Sequence, residues 1–159
     1  MTRLLDGAVA GVIGTTAMSA LLVLSRTAGL MGPPPPRRIT ERIARRSGVE
    51  EALSGEAFEA SWVAAHFAYG AACGALYALA RRALPASPVA SGLLFGGLVW
   101  AGSYLGLLPA LRIYRGPDGE ESAPTTATMI AAHAVYGVTT ALAEERIEGP
   151  DGLLADDRR

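Results

Sequence analysis

Four long stretches of this chain contain no charged residue. They cover residues 7–25, 60–80, 89–108 and 122–143, and all 14 arginines and all 15 acidic residues lie outside them. A soluble amphipathic helix would carry a charged side chain every turn or two on its water-facing side. Four helices that are apolar all round could not all be shielded from water in a chain of 159 residues. The missing charge therefore argues against a soluble bundle.

Each uncharged stretch is long enough to cross a lipid bilayer. The stretches are 19 to 22 residues long, and a helix that rises ~1.5 Å per residue covers ~30 Å over that length. Nine of the ten prolines lie outside them, and the tenth, Pro124, falls in the first turn of the fourth stretch, where a helix tolerates proline. We therefore predict an all-α membrane protein with four transmembrane helices, whose partner is the lipid bilayer.

Other scarce features exclude further classes of protein. The single cysteine, Cys73, rules out an intrachain disulfide and a cluster of thiolate metal ligands. The net charge of −1 gives no reason to expect nucleic acid as a partner. No phosphate-binding loop, zinc-ligand spacing or nucleophile–base pair is present, and Ser19 and Ser103 are interpreted as packing residues. We therefore expect no enzymatic activity and no catalytic residues.

The connections between the stretches differ in length and charge. Residues 26–59 form a long polar loop whose four consecutive prolines, 33–36, predict a stiff extended spacer. The arginine-rich segment 37–48 is either a short helix on the membrane surface or a solvated charged loop. Residues 116–119 predict a turn, and residues 144–159 form a polar tail. An even number of spans places both termini on one side, and the arginine distribution leaves the orientation open.

The two halves of the chain resemble each other. Residues 66–70 and 133–137 both follow the pattern H-x-x-Y-G, and residues 7–11 and 92–96 both follow G-x-x-x-G. Small residues let helix backbones approach closely in lipid, so we predict two repeated helical hairpins of the same orientation. The predicted packing and polar interior residues are His66, Tyr69, Gly70, Gly74, His133, Tyr136, Gly137, Gly7, Gly11, Gly92 and Gly96.

The two histidines of the chain, His66 and His133, both fall inside uncharged stretches. A polar residue within a membrane span is a functional hypothesis by default. In one interpretation each imidazole fixes helix register by bonding a neighbouring carbonyl or hydroxyl. In the others the pair relays protons or lines a polar passage, or it ligates a metal or the iron of haem b. Hydroxyls that could bond the imidazoles belong to Tyr69, Tyr136, Thr15 and Thr16.

Several segments together follow the pattern of a known family. They are the G-x-x-x-G first stretch, the proline–arginine loop, and the segments HFAYGAACGALYALARR, GLLFGGLVWAGSYLGLLPAL and MIAAHAVYGVTTAL. Over residues 7–142 the chain resembles the YagU-like proteins, small uncharacterised proteins of the bacterial inner membrane. The resemblance implies a multi-pass protein of the bacterial cytoplasmic membrane and carries no activity with it.

The residues and the resemblance lead to one expected class of function. We expect a non-enzymatic membrane protein that is a structural or accessory subunit or a small-solute permeation element. Its further partners would be copies of itself or another membrane protein. The alternative is a haem-binding redox or sensor subunit that uses His66 and His133.

Overall fold

The structure is a computed structural model that describes residues 2–53, 55–115 and 122–148. Most of these residues lie in five helices. They are α1 (Thr2–Thr27), α2 (Pro35–Arg46), α3 (Gly55–Ala80), α4 (Pro88–Ala110) and α5 (Ala123–Glu148). All of them except α2 are long and apolar enough to cross a membrane. The described residues contain no strand, and the prediction of an all-α fold with four membrane-spanning helices is confirmed.

Prolines mark the first turns of three helices, which are α2, α4 and, through Pro124, α5. The α4 helix begins at Pro88, and the side chain of Ser87 accepts a hydrogen bond from the backbone N–H of Ala90. The α2 helix begins at Pro35, because proline at the first helical position loses no hydrogen bond. The spacer predicted over residues 33–36 is therefore shorter than expected, since its second half is the first turn of α2.

Ion pairs join three helix ends on one side of the bundle, which we call the terminal end. Arg3 of α1 contacts Glu148 of α5 at 3.1 Å, and Arg81, just after α3, lies 3.9 Å from Glu144. The segment predicted to be a tail thus starts inside α5, and Glu144 is buried. Residues 149–159 and the turn predicted at 116–119 lie outside the described residues.

Glycines bring α1 close to α3. A Cβ atom on Gly7 would lie 2.6 Å from the carbonyl oxygen of Gly74, and one on Gly11 would lie 2.9 Å from the Cα atom of Gly74. Real Cβ atoms do not approach other atoms so closely, so these two helices are in contact through their backbones. Such packing needs small residues and supplies the dispersion contacts that hold helices together in lipid.

The α5 helix makes two further backbone contacts. A Cβ atom on Gly92 of α4 would lie 2.6 Å from the carbonyl oxygen of Gly137, and one on Gly14 of α1 would lie 2.8 Å from that of Tyr136. The glycines of α1 therefore divide between two neighbours, because Gly7 faces α3 and Gly14 faces α5.

The contact between α3 and α4 is made by long side chains instead. The hydroxyls of Tyr69 and Ser103 are 2.7 Å apart, and those of Tyr77 and Ser91 are also 2.7 Å apart. The Tyr77 ring packs edge-on against Phe95 at 5.1 Å between centroids. Tyrosine side chains span a wider gap than glycines do, so α3 and α4 stand further apart than the other neighbouring pairs.

The two helical hairpins pack in different registers. In α1 and α3, Gly11 lies against Gly70 and Gly74. In α4 and α5, Gly96 lies against Gly137 and the carbonyl group of His133. The second contact is one helical turn nearer to its histidine than the first. The sequence repeat as a structural repeat stays a prediction.

The short helix α2 is bound to the other side of the bundle, which we call the loop end. Its Arg42 and Arg46 donate hydrogen bonds to the carbonyl oxygens of Ile113 and Leu111, at 3.0 and 2.8 Å. Arg37 pairs with Glu59 at the start of α3, at 3.0 Å. The arginine-rich segment therefore forms a helix whose arginines bind protein groups, and its position on a membrane surface stays a prediction.

Candidate ligand cavity

A cavity of about 270 Å³ lies inside the loop-end half of the bundle. One lining residue of each long helix lies furthest from the loop end. These four residues are Thr15, Cys73, Val99 and Tyr136, and they lie near the middle of the bundle. An apolar cavity of ~150 Å³ is enough to hold benzene. This one is therefore large enough for a substituted aromatic ring or a short alkyl chain.

The cavity follows from the unequal helix spacing. Glycine contacts close the gaps between α1 and α3, α1 and α5, and α4 and α5, whereas tyrosines separate α3 from α4. The space left beside α3 and α4 is not filled by side chains over the loop-end half. Ala65, Tyr69 and Leu107 line the cavity and are exposed at the surface of the bundle. We infer that the cavity is reached from the lipid-facing side between α3 and α4.

The short helix α2 covers the cavity at the loop end. Pro36, Ile39, Thr40 and Ile43 belong to the lining, and their spacing of three or four residues puts them on one face of the helix. The arginines on the other faces bind the chain between α4 and α5. Contacts within the protein therefore explain why α2 is amphipathic, because its apolar face lies on the cavity and its charged faces lie outside.

The lining combines an apolar surface with a few polar groups. Among the described residues that line the cavity none is charged, and most of the lining belongs to aliphatic, aromatic and methionine side chains. Small-molecule sites typically have this composition, in which a few placed polar groups orient the ligand. An unpaired charge would be costly to hold in such a place, so the cavity suits an uncharged molecule.

His133 is buried at the cavity and held in a defined orientation. Its Nδ1 atom is 2.8 Å from the carbonyl oxygen of Met129, one turn earlier in α5. A carbonyl oxygen can only accept, so Nδ1 carries the proton and donates it. The ring also packs edge-on against Tyr104 at 5.8 Å between centroids. The remaining nitrogen, Nε2, has no hydrogen-bond partner among the described residues.

His66 is half-buried and its bond crosses between helices. Its Nε2 atom lies 3.3 Å from the hydroxyl of Ser19 on α1. A hydroxyl can donate or accept, so this contact does not fix which nitrogen carries the proton. Neither imidazole bonds any of the four hydroxyls that the sequence suggested as partners.

The tyrosines of the two H-x-x-Y-G patterns form hydrogen bonds with different kinds of partner. Tyr69 reaches across to Ser103 of α4, whereas Tyr136 donates to the carbonyl oxygen of Gly70 on α3 at 2.7 Å. The second bond links α5 to α3 across the middle of the bundle. The structure therefore brings His66, Tyr69, Gly70, His133 and Tyr136 to one cavity.

The remaining predicted residues lie at the helix contacts. They do not line the cavity, and they set the distances between the helices that surround it. These residues are Gly7, Gly11, Gly74, Gly92, Gly96 and Gly137.

Sequence reasoning missed part of the site. Residues Gly102–Leu107 of α4 form a π-helix. Such turns are rare in proteins, and those that occur are often found at functional sites. It carries the buried residues Ser103 and Tyr104 on the cavity wall. No sequence pattern marks this turn, although the hydroxyl of Ser103 in an apolar stretch was a signal that a partner would be present.

The two histidines are also predicted as candidate metal ligands. Within the described ranges no group of three or more His, Cys, Asp or Glu side chains is placed to hold a metal ion. Ligation of haem iron through Nε2 of both rings would require His66 to release Ser19. A haem at this site stays a prediction.

These features define a multi-pass helical membrane protein with an uncharged internal cavity. The chain belongs to DUF6789, a family of unknown function, whose match covers residues 1–153. No curated protein and no solved structure gives a significant match to the chain.

Proposed function

We propose that this protein is a non-enzymatic protein of the bacterial cytoplasmic membrane that binds a small, mostly apolar molecule in its cavity. The observation that carries the proposal is a cavity of about 270 Å³ with an uncharged lining inside the bundle. Its exposed edge at Ala65, Tyr69 and Leu107 lies on a face that lipid would contact. An apolar molecule dissolved in the membrane could reach it there without passing through water.

Binding fits the geometry better than permeation does. The lining ends at the middle of the bundle, and the described residues beyond it pack through glycines and through the Tyr77–Ser91 bond. A permeation element would need the path to continue to the terminal end. We therefore propose an accessory subunit that holds a ligand, either as a homo-oligomer or beside another membrane protein. Membership of the YagU-like proteins, which the resemblance implies, is part of this proposal.

Quenching of Trp62 fluorescence tests the proposal. Trp62 lines the cavity and Trp100 does not, so a Trp100→Phe background leaves one reporter at the site. Trp100 stacks on Tyr104, and its Nε1–H has no partner among the described residues, so phenylalanine should keep the stacking and lose no hydrogen bond. In detergent, 4-bromoanisole is expected to quench Trp62 with a saturable dependence on concentration.

Two neighbouring alanines of α3 supply the variant and its control. Ala65 lines the cavity, whereas Ala64 is exposed and does not. Ala65→Phe should fill part of the cavity and weaken binding by about tenfold or more, a loss of ~1.4 kcal/mol. Ala64→Phe should leave it unchanged. Equal quenching in the two variants would mean that the probe reaches Trp62 from the detergent, and the proposal would be rejected.

A visible spectrum of the purified protein tests the haem alternative separately. A Soret band that disappears on His66→Ala or His133→Ala would establish haem ligation by these residues. A colourless preparation would remove that alternative and leave the binding proposal as it stands.

A further inference from the structure

The polar groups around the cavity differ in whether they are already bonded. Thr15 donates to the carbonyl oxygen of Gly11 at 2.7 Å, Tyr136 donates to that of Gly70, and Tyr69 is paired with Ser103. The hydroxyl of Thr15 is thus used within α1, and those of Tyr69 and Tyr136 are used in bonds between helices. His133 is in a different position, because it lines the cavity and its Nε2 has no partner among the described residues.

The protonation of His133 determines what this nitrogen can recognise. Nδ1 donates its proton to the Met129 carbonyl oxygen, and no described residue of the lining carries a negative charge that would favour an imidazolium. In a neutral ring with the proton on Nδ1, Nε2 has a lone pair and can only accept. A ligand that fits it must therefore bring a hydrogen-bond donor.

We propose that the cavity takes a neutral alcohol or phenol, whose apolar body lies among the aliphatic and aromatic side chains and whose hydroxyl donates to Nε2 of His133. This inference rests on the proposed function and narrows it to one class of ligand. An ether or hydrocarbon of the same shape offers no donor and leaves Nε2 unpaired. A carboxylate or ammonium would bring a charge into a lining that has none to match it.

His66 does not supply the same selection. Its Nε2 contacts the Ser19 hydroxyl, which can donate or accept a hydrogen bond. Either tautomer of His66 therefore fits this contact, and the ring can match a ligand that donates or one that accepts. The discrimination between donor and non-donor ligands therefore lies with His133.

Matched probes in the Trp100→Phe background test the inference. One pair is 4-bromophenol and 4-bromoanisole, and the other is 6-bromohexanol and its methyl ether. The members of each pair differ in a methyl group that replaces the hydroxyl proton, and the two pairs distinguish an aromatic source from an aliphatic one. We expect the hydroxyl member of at least one pair to bind roughly three- to tenfold tighter, as one net hydrogen bond would give.

Two substitutions of His133 separate its two nitrogens. His133→Asn keeps a donor near Nδ1 that can still bond Met129, but it has no group at the position of Nε2. His133→Gln places an amide oxygen near that position and so keeps an acceptor. The hydroxyl preference should fall about three- to tenfold in His133→Asn and persist in His133→Gln.

The two levels of proposal fail in different ways. If no probe quenches Trp62 with saturation, the cavity does not bind apolar molecules and the proposed function fails. If alcohols and ethers bind equally well, the proposed function stands and the choice of ligand class is wrong. A hydroxyl preference that persists in His133→Asn would also overturn the assignment to His133.

A second measurement needs no variant of His133. The chain has two histidines, so protein labelled with ¹⁵N-histidine and purified without a polyhistidine tag gives two imidazoles, which a His66→Phe variant assigns. Saturating 4-bromophenol or 6-bromohexanol should shift the Nε2 signal of His133, whereas their ethers should not. A shift confined to His66, or none with either alcohol, would overturn the inference.

Discussion

Replacing Gly96 by leucine is expected to prevent the bundle from assembling, whereas the same replacement at the adjacent Gly97 should leave it folded. A Cβ atom on Gly96 would overlap the carbonyl oxygen of His133, and it would lie 3.4 Å from the Cα atom of Gly137. Both are backbone atoms of α5, which cannot move aside without breaking the contact between the helices. We expect a loss of more than about 3 kcal/mol, at the upper end for overpacking.

Gly97 is a close control because it shares the helix and the residue type. A Cβ atom there would have no neighbour within 4 Å, so leucine at this position should only add apolar surface towards lipid. Size-exclusion chromatography in detergent and thermal unfolding measure the outcome. Comparable loss of folded protein in both variants would mean that glycine itself, rather than the close approach at Gly96, is what the fold requires.

Replacing Gly70 by alanine should destabilise the protein, and the loss should be smaller when Thr15 has already been replaced by glycine. A Cβ atom on Gly70 would overlap the hydroxyl of Thr15 and lie 3.1 Å from its Cβ atom. Gly70→Ala should therefore cost about 1–3 kcal/mol. Thr15→Gly alone should also be destabilising, because it removes a buried side chain and places a glycine inside a helix, but it takes away the atoms that clash.

A double-mutant cycle measures the coupling. We expect the double variant to be more stable than the sum of the single changes by ~1 kcal/mol or more, as is typical of residues in contact. Thr16→Gly is the matched control. Thr16 is exposed on the same helix and makes the same kind of bond, with its hydroxyl donating to the Val12 carbonyl oxygen at 2.9 Å. A coupling to Gly70→Ala as large with Thr16→Gly as with Thr15→Gly would contradict the packing of α1 on α3.

The number of spans could be predicted from the sequence because it depends only on where the charged residues fall along the chain. Every charged side chain has to avoid the hydrocarbon layer wherever the helices lie relative to one another. The 7–25 stretch therefore predicts a span, although α1 itself begins at Thr2. The small-residue spacing of Gly7 and Gly11 likewise indicated that a backbone would come close.

The sequence could not predict in the same way which helix packs against each face of another helix. Gly14 lies one turn from Gly11, yet it packs on α5 while Gly11 packs on α3, because α1 has two neighbours and the sequence does not say where one ends. The bond between His66 and Ser19 depends on the rotation of two helices. The position of α2 depends on arginines that reach carbonyl groups more than 60 residues away in sequence.

The cavity of the loop-end half stops at the middle of the bundle, and this fixes how it can exchange its contents. On the proposed function, a ligand enters and leaves through the opening between α3 and α4, so its occupancy follows the concentration in one leaflet. A neutral ligand held at half depth is also insensitive to the membrane potential. On the proposed function, the protein would report or retain what is dissolved on one side of the bilayer, at a rate set by how easily lipid gives way beside α3 and α4.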